Sequence, residues 1–128
     1  MTAATEFGLD RIGQIAVTVR DLARAKAYYR DTLGMRFLYE FPALAFFDCG
    51  GIRLIMSVPE RPEFDHPTSV LYYAVSDIAA AHATLVARGV AFEREPHIIA
   101  ALPDRDVWMA FFRDSEANLL GLMCEKAR

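Results

Sequence analysis

Several features that would assign this chain to a common functional class are missing from its sequence. The two cysteines, Cys49 and Cys124, lack the CxxC spacing of a zinc or redox motif, which favours two reduced thiols. The net charge is −3, so the chain lacks the basic surface that binds a nucleic-acid backbone. No apolar run is long enough to span a bilayer, and the N-terminal stretch MTAATEFG lacks the pattern of a signal peptide. We therefore expect a cytoplasmic protein that binds neither nucleic acid nor membrane.

The sequence motifs of common enzyme classes are also missing. No serine lies in a GxSxG context, and there is no glycine-rich phosphate loop or dinucleotide fingerprint. The chain does have 128 residues, of which 54% are hydrophobic. This length and composition are typical of one folded domain with a substantial core.

An internal repeat covers nearly the whole chain. Residues 11–34 (RIGQIAVTVRDLARAKAYYRDTLG) match residues 70–89 (VLYYAVSDIAAAHATLVARG), so that Gln14 aligns with Val70 and Asp21 with Asp77. A second match follows each of these segments, between ALAFFDCGGIRLIM in the first half and WMAFFRDSEANLLGLM in the second. Repeats of this kind indicate two copies of one supersecondary unit.

Each copy begins with the pattern of a strand followed by a capped helix. Residues 12–19 alternate, so one strand face is apolar and the opposite face contains Gln14. Asp21 and Asp77 stand where a helix N-cap belongs. Gly34 and Gly89 follow the helical segments, where a left-handed residue ends a helix. Each copy therefore predicts a strand and a helix that covers its apolar face, and the face that contains Gln14 points the opposite way.

Three further strands are predicted in each copy: 36–40, 44–48 and 52–58 in the first, and 91–94 (with a possible extension through 97–99), 107–112 and 119–124 in the second. The proline-rich, charged segment PERPEFDHP separates the copies. The sequence thus predicts a single α+β domain of two tandem βαβββ modules. Module one covers about 11–58, the linker 59–68 and module two about 69–125.

With this organisation the chain resembles the vicinal oxygen chelate superfamily, which includes glyoxalases, bleomycin-resistance proteins and extradiol dioxygenases. The resembling features are the doubled βαβββ pattern, the strand ends VTVRDL and YAVSDI, and the segments YYRDTLGMRF and RDSEANLLGLM, within residues 11–125. The resemblance implies an incompletely closed eight-stranded barrel around a cleft. Many members are homodimers, in which the cleft is sometimes completed between chains.

The resemblance also implies positions for a divalent metal, which acts as a Lewis acid and is usually held by His, Gln or Glu on the first and fourth strands of each module. Only Gln14 matches such a position. Val70 takes the equivalent place in module two, residues 54–56 offer no ligating side chain, and Gly121 stands where Glu is expected. We therefore predict no metal and no other cofactor.

Four residues are candidate contacts for an organic ligand. Gln14 offers an amide, Arg53 a bidentate donor for carboxylate or phosphate, Tyr72 a phenol, and Trp108 an indole that can stack on a planar group. Each also has a purely structural interpretation, as a satisfied interior amide, a solvated arginine, a core tyrosine or a packing indole. The sequence leaves these alternatives open.

His97 is the one candidate for catalysis. It follows Pro96 and precedes a loop that leads to Asp106, so it can act as a general base or join Asp106 in a non-standard metal site. A structural histidine is the alternative.

We favour a homodimeric small-molecule binding protein of the glyoxalase/bleomycin-resistance type without the usual metal ligands. The alternative is a lyase, isomerase or epimerase of the same superfamily with a non-standard or metal-free site, so whether the chain is an enzyme stays open.

Overall fold

The structure, a computed structural model, describes residues 7–127. Eight strands and two α-helices follow in chain order: β1 (Gln14–Thr18), α1 (Leu22–Ala27), β2 (Arg36–Phe41), β3 (Leu44–Cys49), β4 (Ile52–Ser57), β5 (Leu71–Ala74), α2 (Ile78–Ala87), β6 (His97–Ala101), β7 (Arg105–Arg113) and β8 (Leu119–Ala127). A π-helical segment, Tyr28–Thr32, continues α1, and a 3-10 turn, Pro62–Phe64, lies in the linker.

The strands form two four-stranded sheets, with the orders β1-β4-β3-β2 and β5-β8-β7-β6. In each sheet the first strand is parallel to the fourth and the other pairs are antiparallel. These sheets confirm an α+β fold of two tandem βαβββ modules. No strand of one sheet pairs with a strand of the other within residues 7–127, so the chain forms no closed barrel.

The predicted helix ends are confirmed. Asp21 Oδ1 accepts from the amide of Arg24 at 3.0 Å, and Asp77 Oδ1 accepts from the amide of Ala80 at 3.0 Å. Gly34 and Gly89 have φ angles of +72° and +91°, a left-handed conformation that a residue with a Cβ rarely adopts. The two modules therefore place their helices on their sheets with the same local chemistry.

Each sheet has one face that packs against its helix. In module one Val17, Phe47 and Met56 are fully buried on this face. In module two Phe112 and Leu120 are equally inaccessible, and all five belong to one hydrophobic cluster. We call the opposite face of each sheet its open face. Since both helix-side faces share one core, the two open faces lie on the outside of this core.

The 114–118 turn of module two holds the start of α1 in module one. Asn118 Nδ2 donates to the carbonyl of Thr18 at 3.1 Å. Glu116 Oε1 accepts from the amide of Arg20 at 2.6 Å, and Glu116 Oε2 accepts from Arg24 Nε at 2.9 Å. These contacts fix the two modules relative to each other.

One predicted strand is wrong. Residues 91–94 form only an isolated bridge between Phe92 and Phe112, and β6 begins instead at His97. Pro96 lies between the two pairings and has no N–H to donate to a ladder, which explains the interruption. The strand β7 also begins earlier than predicted, at Arg105, so the predicted 102–106 loop is shorter.

Candidate functional site

Three polar side chains lie on the open face of module one. Gln14 begins β1 and pairs in register with Arg53 on β4, and both are exposed. Arg53 Nη1 donates to Tyr39 Oη on β2 at 3.2 Å. An amide, a guanidinium and a phenol are thereby brought to one surface. The predicted candidates Gln14 and Arg53 are neighbours, whereas Tyr39 was not predicted.

An aromatic cluster adjoins these polar groups. The rings of Tyr39 and Phe46 have centroids 4.9 Å apart, and Phe41 lies 6.0 Å from Phe46 in an edge-to-face arrangement. Tyr39 is 43% exposed and Phe41 is 56% exposed. Exposed rings of this kind offer a flat apolar surface on which a planar ligand can stack. Sequence analysis missed the cluster because a β-bulge after Phe37 decides which β2 side chains reach the open face.

A cavity of about 510 Å³ occupies the same open face, next to the linker. Ala16 and Ile55 lie in its wall on the sheet side. Phe64 and Arg61 line it from the linker, with the guanidinium carbon of Arg61 4.9 Å from the Phe64 ring. The volume falls within the range of about 300–1,000 Å³ that is typical of small-molecule sites.

Tyr72 lies on the open face of module two, where it pairs in register with Gly121. Its ring packs directly over this glycine. A Cβ on Gly121 would lie 2.9 Å from Tyr72 Cδ2 and 3.2 Å from Phe111 Cε1. Tyr72 is 48% exposed, so one edge of the ring remains available to a ligand while the other fills the space above Gly121.

The residues at the implied metal positions do not fit a divalent ion. Ile55 on β4 is apolar, Val70 precedes β5, and the ring of Tyr72 covers Gly121 where a glutamate side chain would project. Within residues 7–127 there is no group of three or more His, Cys, Asp or Glu side chains that could hold a metal. Gln14 alone cannot provide the three or more ligands that such ions take in proteins.

Trp108 lies on the opposite side of its sheet from the other ligand candidates. It pairs in register with buried Cys124 and packs against the hydrophobic core. Lys126 Nζ lies 4.7 Å from the centre of its ring. Trp108 is therefore a partly buried packing residue on the helix-side face, and the structure does not bring it to the open face with Gln14, Arg53 and Tyr72.

His97 begins β6 and pairs in register with Met109, which belongs to the open face of module two. Its Nδ1 lies 3.1 Å from the carbonyl oxygen of Glu95. A carbonyl only accepts, so Nδ1 carries the proton and Nε2 keeps its lone pair in the neutral ring. Asp106 pairs with Ala101 at the far end of β6. It therefore lies roughly 10 Å along β7 from Met109, the register partner of His97. This distance does not support a metal site shared by His97 and Asp106.

These features define an α+β protein of two tandem βαβββ modules with a concave, aromatic-rich face and an atypical set of side chains where a metal would lie. The sequence model of the Glyoxalase/Bleomycin resistance protein/Dioxygenase superfamily matches residues 11–120. The chain belongs to this superfamily, which confirms the resemblance. No curated protein sequence matches the chain.

Solved structures share the fold over nearly the full length of both chains. The lactoylglutathione lyase from Agrobacterium tumefaciens has a TM-score of 0.72 at 21% identity, covering 91% of this chain and 94% of that one. TnmS3, an antibiotic binding protein from Streptomyces sp. CB03234, has a TM-score of 0.71 at 24% identity, covering 92% and 98%. An integron cassette protein from V. Cholerae has a TM-score of 0.73 at 14% identity, covering 92% and 97%. At these identities the likeness concerns the fold alone.

Among the described residues no helix is long and apolar enough to cross a membrane.

Proposed function

We propose that this protein binds a small, mostly apolar organic molecule with a planar group on the open face of module one, without a metal. The observation that carries the proposal is the exposed aromatic cluster of Tyr39, Phe41 and Phe46 beside Arg53. Aromatic surface with a few placed polar groups is the usual composition of a small-molecule site. The fold shared with an antibiotic binding protein supports the same class of function.

The polar groups suggest which ligand group is recognised. Arg53 is exposed, and one of its nitrogens is engaged by Tyr39 Oη. The remaining guanidinium donors suit a carboxylate or another oxyanion, and the Gln14 amide beside them can donate or accept. We therefore propose a planar aromatic ligand with an oxygen-bearing substituent directed at Arg53.

We further propose that two copies of the chain complete the site. Each open face leaves large apolar side chains exposed, including Tyr39 and Phe41 in module one and Tyr72 in module two. The open faces of one chain point away from its shared core, so they cannot enclose a ligand between them. Module two of a second copy can cover module one of the first and bury this surface.

The two free thiols fit the cytoplasmic location that we expect.

A lyase, isomerase or epimerase is the second candidate, because His97 pairs in register with Met109 of the open face of module two and an imidazole there can act as a base. In the proposed dimer this face lies opposite Gln14 and Arg53 of the other copy. Proton abstraction requires such a base within reach of a substrate carbon. Deuterium exchange into a bound ligand, followed by NMR and lost in H97Q while binding persists, would favour this candidate. Absence of exchange would favour binding alone.

The ligand site is tested with a thermal-shift screen of planar aromatic acids and aromatic antibiotics, followed by calorimetry on the hits. R53Q should weaken anionic hits by about tenfold, the equivalent of about 1.4 kcal/mol. R94Q removes an exposed arginine elsewhere and should leave affinity unchanged. Unaltered affinity in R53Q would reject this placement of the ligand.

The dimer is tested by sedimentation equilibrium. F41E places a charge on the proposed interface at a residue that is 56% exposed, so the monomer should still fold. It should shift the protein from dimer to monomer and weaken ligand binding. V86E is the matched control, since Val86 is 48% exposed on α2, away from both open faces. A monomeric parent protein, or an intact F41E dimer, would contradict the proposed assembly.

A further inference from the structure

A second cavity, of about 440 Å³, lies on the helix side of the molecule, between the two modules. Its walls are largely apolar and are formed by Leu33, Met35, Val75, Leu85, Phe112 and Leu122. It shares no lining residue with the open-face cavity of module one. It is therefore a separate site, with a volume within the usual range for small-molecule pockets.

Arg88 lines this cavity and connects the two modules. It follows the last residue of α2 in module two, and its Nη1 donates to the carbonyl of Thr32 in module one at 3.0 Å. The same nitrogen lies 3.5 Å from the position of a Cβ on Gly34, another lining residue. Within residues 7–127 no carboxylate forms an ion pair with Arg88. Its Nε and Nη2 groups therefore remain as donors for a bound anion.

The charge at the rim is positive. Arg36, Asp48 and Arg88 are the charged residues in the lining. Asp48 pairs in register with Arg36 on the neighbouring strand, so Arg36 balances its negative charge and Arg88 is left in excess among the charged lining residues. A rim with this balance attracts an anionic group, while the apolar interior accepts a hydrocarbon body.

The cavity lining also includes one residue with a polar group that has no protein partner in the described part of the chain. Tyr73 lines the cavity, and its hydroxyl is buried with no hydrogen bond in the described part of the chain. Burial raises the pKa of Tyr73, so this hydroxyl keeps its proton and is a donor. A buried donor without a partner is unfavourable, and an acceptor atom of a ligand that reaches it would stabilise the complex.

We propose that this intermodule cavity binds a small amphipathic carboxylate, with its alkyl or aryl-alkyl body against the apolar walls and its carboxylate on Arg88. The planar guanidinium edge of Arg88 matches a carboxylate in a bidentate arrangement. The site does not depend on the open-face ligand, because the two cavities lie on opposite sides of the sheet of module one.

Octanoate and its neutral analogue octanamide are the test pair, measured by calorimetry on the full chain. Octanoate should bind about tenfold more tightly, because only its carboxylate forms a charge-assisted bond with Arg88. Cys49 provides a local readout, since it lines the cavity and Cys124 is only 4% exposed. Saturating octanoate should slow the reaction of Cys49 with N-ethylmaleimide several-fold, and C49S should remove that reaction.

Substitutions at the mouth and in the wall complete the test. R88Q should lower the affinity for octanoate to that for octanamide, whereas R94Q, outside the cavity lining, should not. A81L narrows the cavity and should weaken both ligands about tenfold. If A81L does not fold, T84L adds bulk at an exposed lining position of α2 and should act in the same direction.

Three results would overturn the proposal: no binding of octanoate, equal affinity for the two analogues, or binding that leaves Cys49 as reactive as before. R53Q separates this proposal from the open-face site. It should leave octanoate binding intact even where it abolishes binding of an aromatic acid. Loss of octanoate binding in R53Q would assign octanoate to the open face and reject the second site.

Discussion

Tyr29 Oη donates to Asp114 Oδ2 over 2.6 Å, and this buried contact joins the helical segment of module one to the turn of module two. Tyr29 is fully buried and Asp114 is 6% exposed. The other carboxylate oxygen, Oδ1, accepts from the amides of Glu116 at 2.8 Å and Asn118 at 2.9 Å. One carboxylate thus shapes its own turn and anchors the other module. Leu85 occupies the position equivalent to Tyr29 in the second copy, so the repeat is asymmetric at this point.

Y29F should lower the free energy of unfolding by about 1.5–3 kcal/mol, because hydrogen bonds to charged groups contribute about this much and Asp114 stays buried. The measurement is urea unfolding followed by far-UV circular dichroism. Y28F is the matched control, since Tyr28 is only partly buried and its Oη donates to the neutral carbonyl of Arg113 at 3.2 Å. It should change the free energy of unfolding by less than about 1 kcal/mol. Equal effects of the two substitutions would contradict the role of the Tyr29–Asp114 contact.

Glu116 should make part of the stability depend on acid pH. Burial acts to raise the pKa of its carboxyl, but hydrogen bonds from the Arg20 amide, the Arg24 side chain and the Asp21 amide together hold it below the usual value. Since the folded pKa lies below the unfolded one, the carboxylate stabilises the fold above the unfolded pKa of about 4.3. This contribution should be lost as the pH falls through the folded pKa.

E116Q should therefore destabilise the protein at pH 7 and flatten the acid limb of its stability curve. The measurement is urea unfolding at intervals between pH 7 and pH 3. E63Q is the control, because the Glu63 side chain is 64% exposed in its pair with Arg61. Its curve should follow that of the parent protein. An E116Q curve parallel to the parent curve would show that Glu116 does not titrate with folding.

The architecture could be predicted because the local signals agree with each other. The alternation in residues 12–19 predicts the first strand, and the N-cap aspartates predict where the helices begin. Because the sequence repeats, the same elements are predicted in module two. The strand at residues 91–94 was predicted wrongly because Pro96 interrupts the pairing and moves it to His97. The possible extension through 97–99 coincides with the strand that forms there.

The candidate site depends on register, which the sequence does not specify. Trp108 and Met109 are neighbours on β7, yet only Met109 reaches the open face, because a shift of one residue moves a side chain to the other side of a sheet. The sequence left the orientation of Arg53 open, and the in-register pairing of β1 with β4 brings it beside Gln14. The contact between Tyr72 and Gly121 requires the pairing of β5 with β8, which no local pattern indicates.

We expect no stoichiometric metal. Protein purified without chelator should contain less than one equivalent of nickel, zinc, manganese or iron by elemental analysis. Titration with each divalent ion should give no saturable heat, because Ile55 and Gly121 provide no ligand atoms beside Gln14. Tight binding of one equivalent, lost in Q14A, would show that other residues complete a site with Gln14. Glyoxalase-type assays on the loaded protein would then be the next measurement.

G121A should destabilise module two by crowding the Tyr72 ring. The added Cβ would lie 2.9 Å from Tyr72 Cδ2, closer than such contacts allow, so the ring must turn away or the strands must shift. Overpacking of this kind costs about 1–3 kcal/mol, and we expect the lower end because Tyr72 is 48% exposed and can move. Removing the Tyr72 ring removes the closest contact and leaves the 3.2 Å approach to Phe111 Cε1, so G121A should cost clearly less in a Y72A background. The coupling energy from a double-mutant cycle measures this directly by chemical denaturation. Additive effects of G121A and Y72A would mean that the ring does not rest on Gly121, and the space above this glycine would then be open to a ligand.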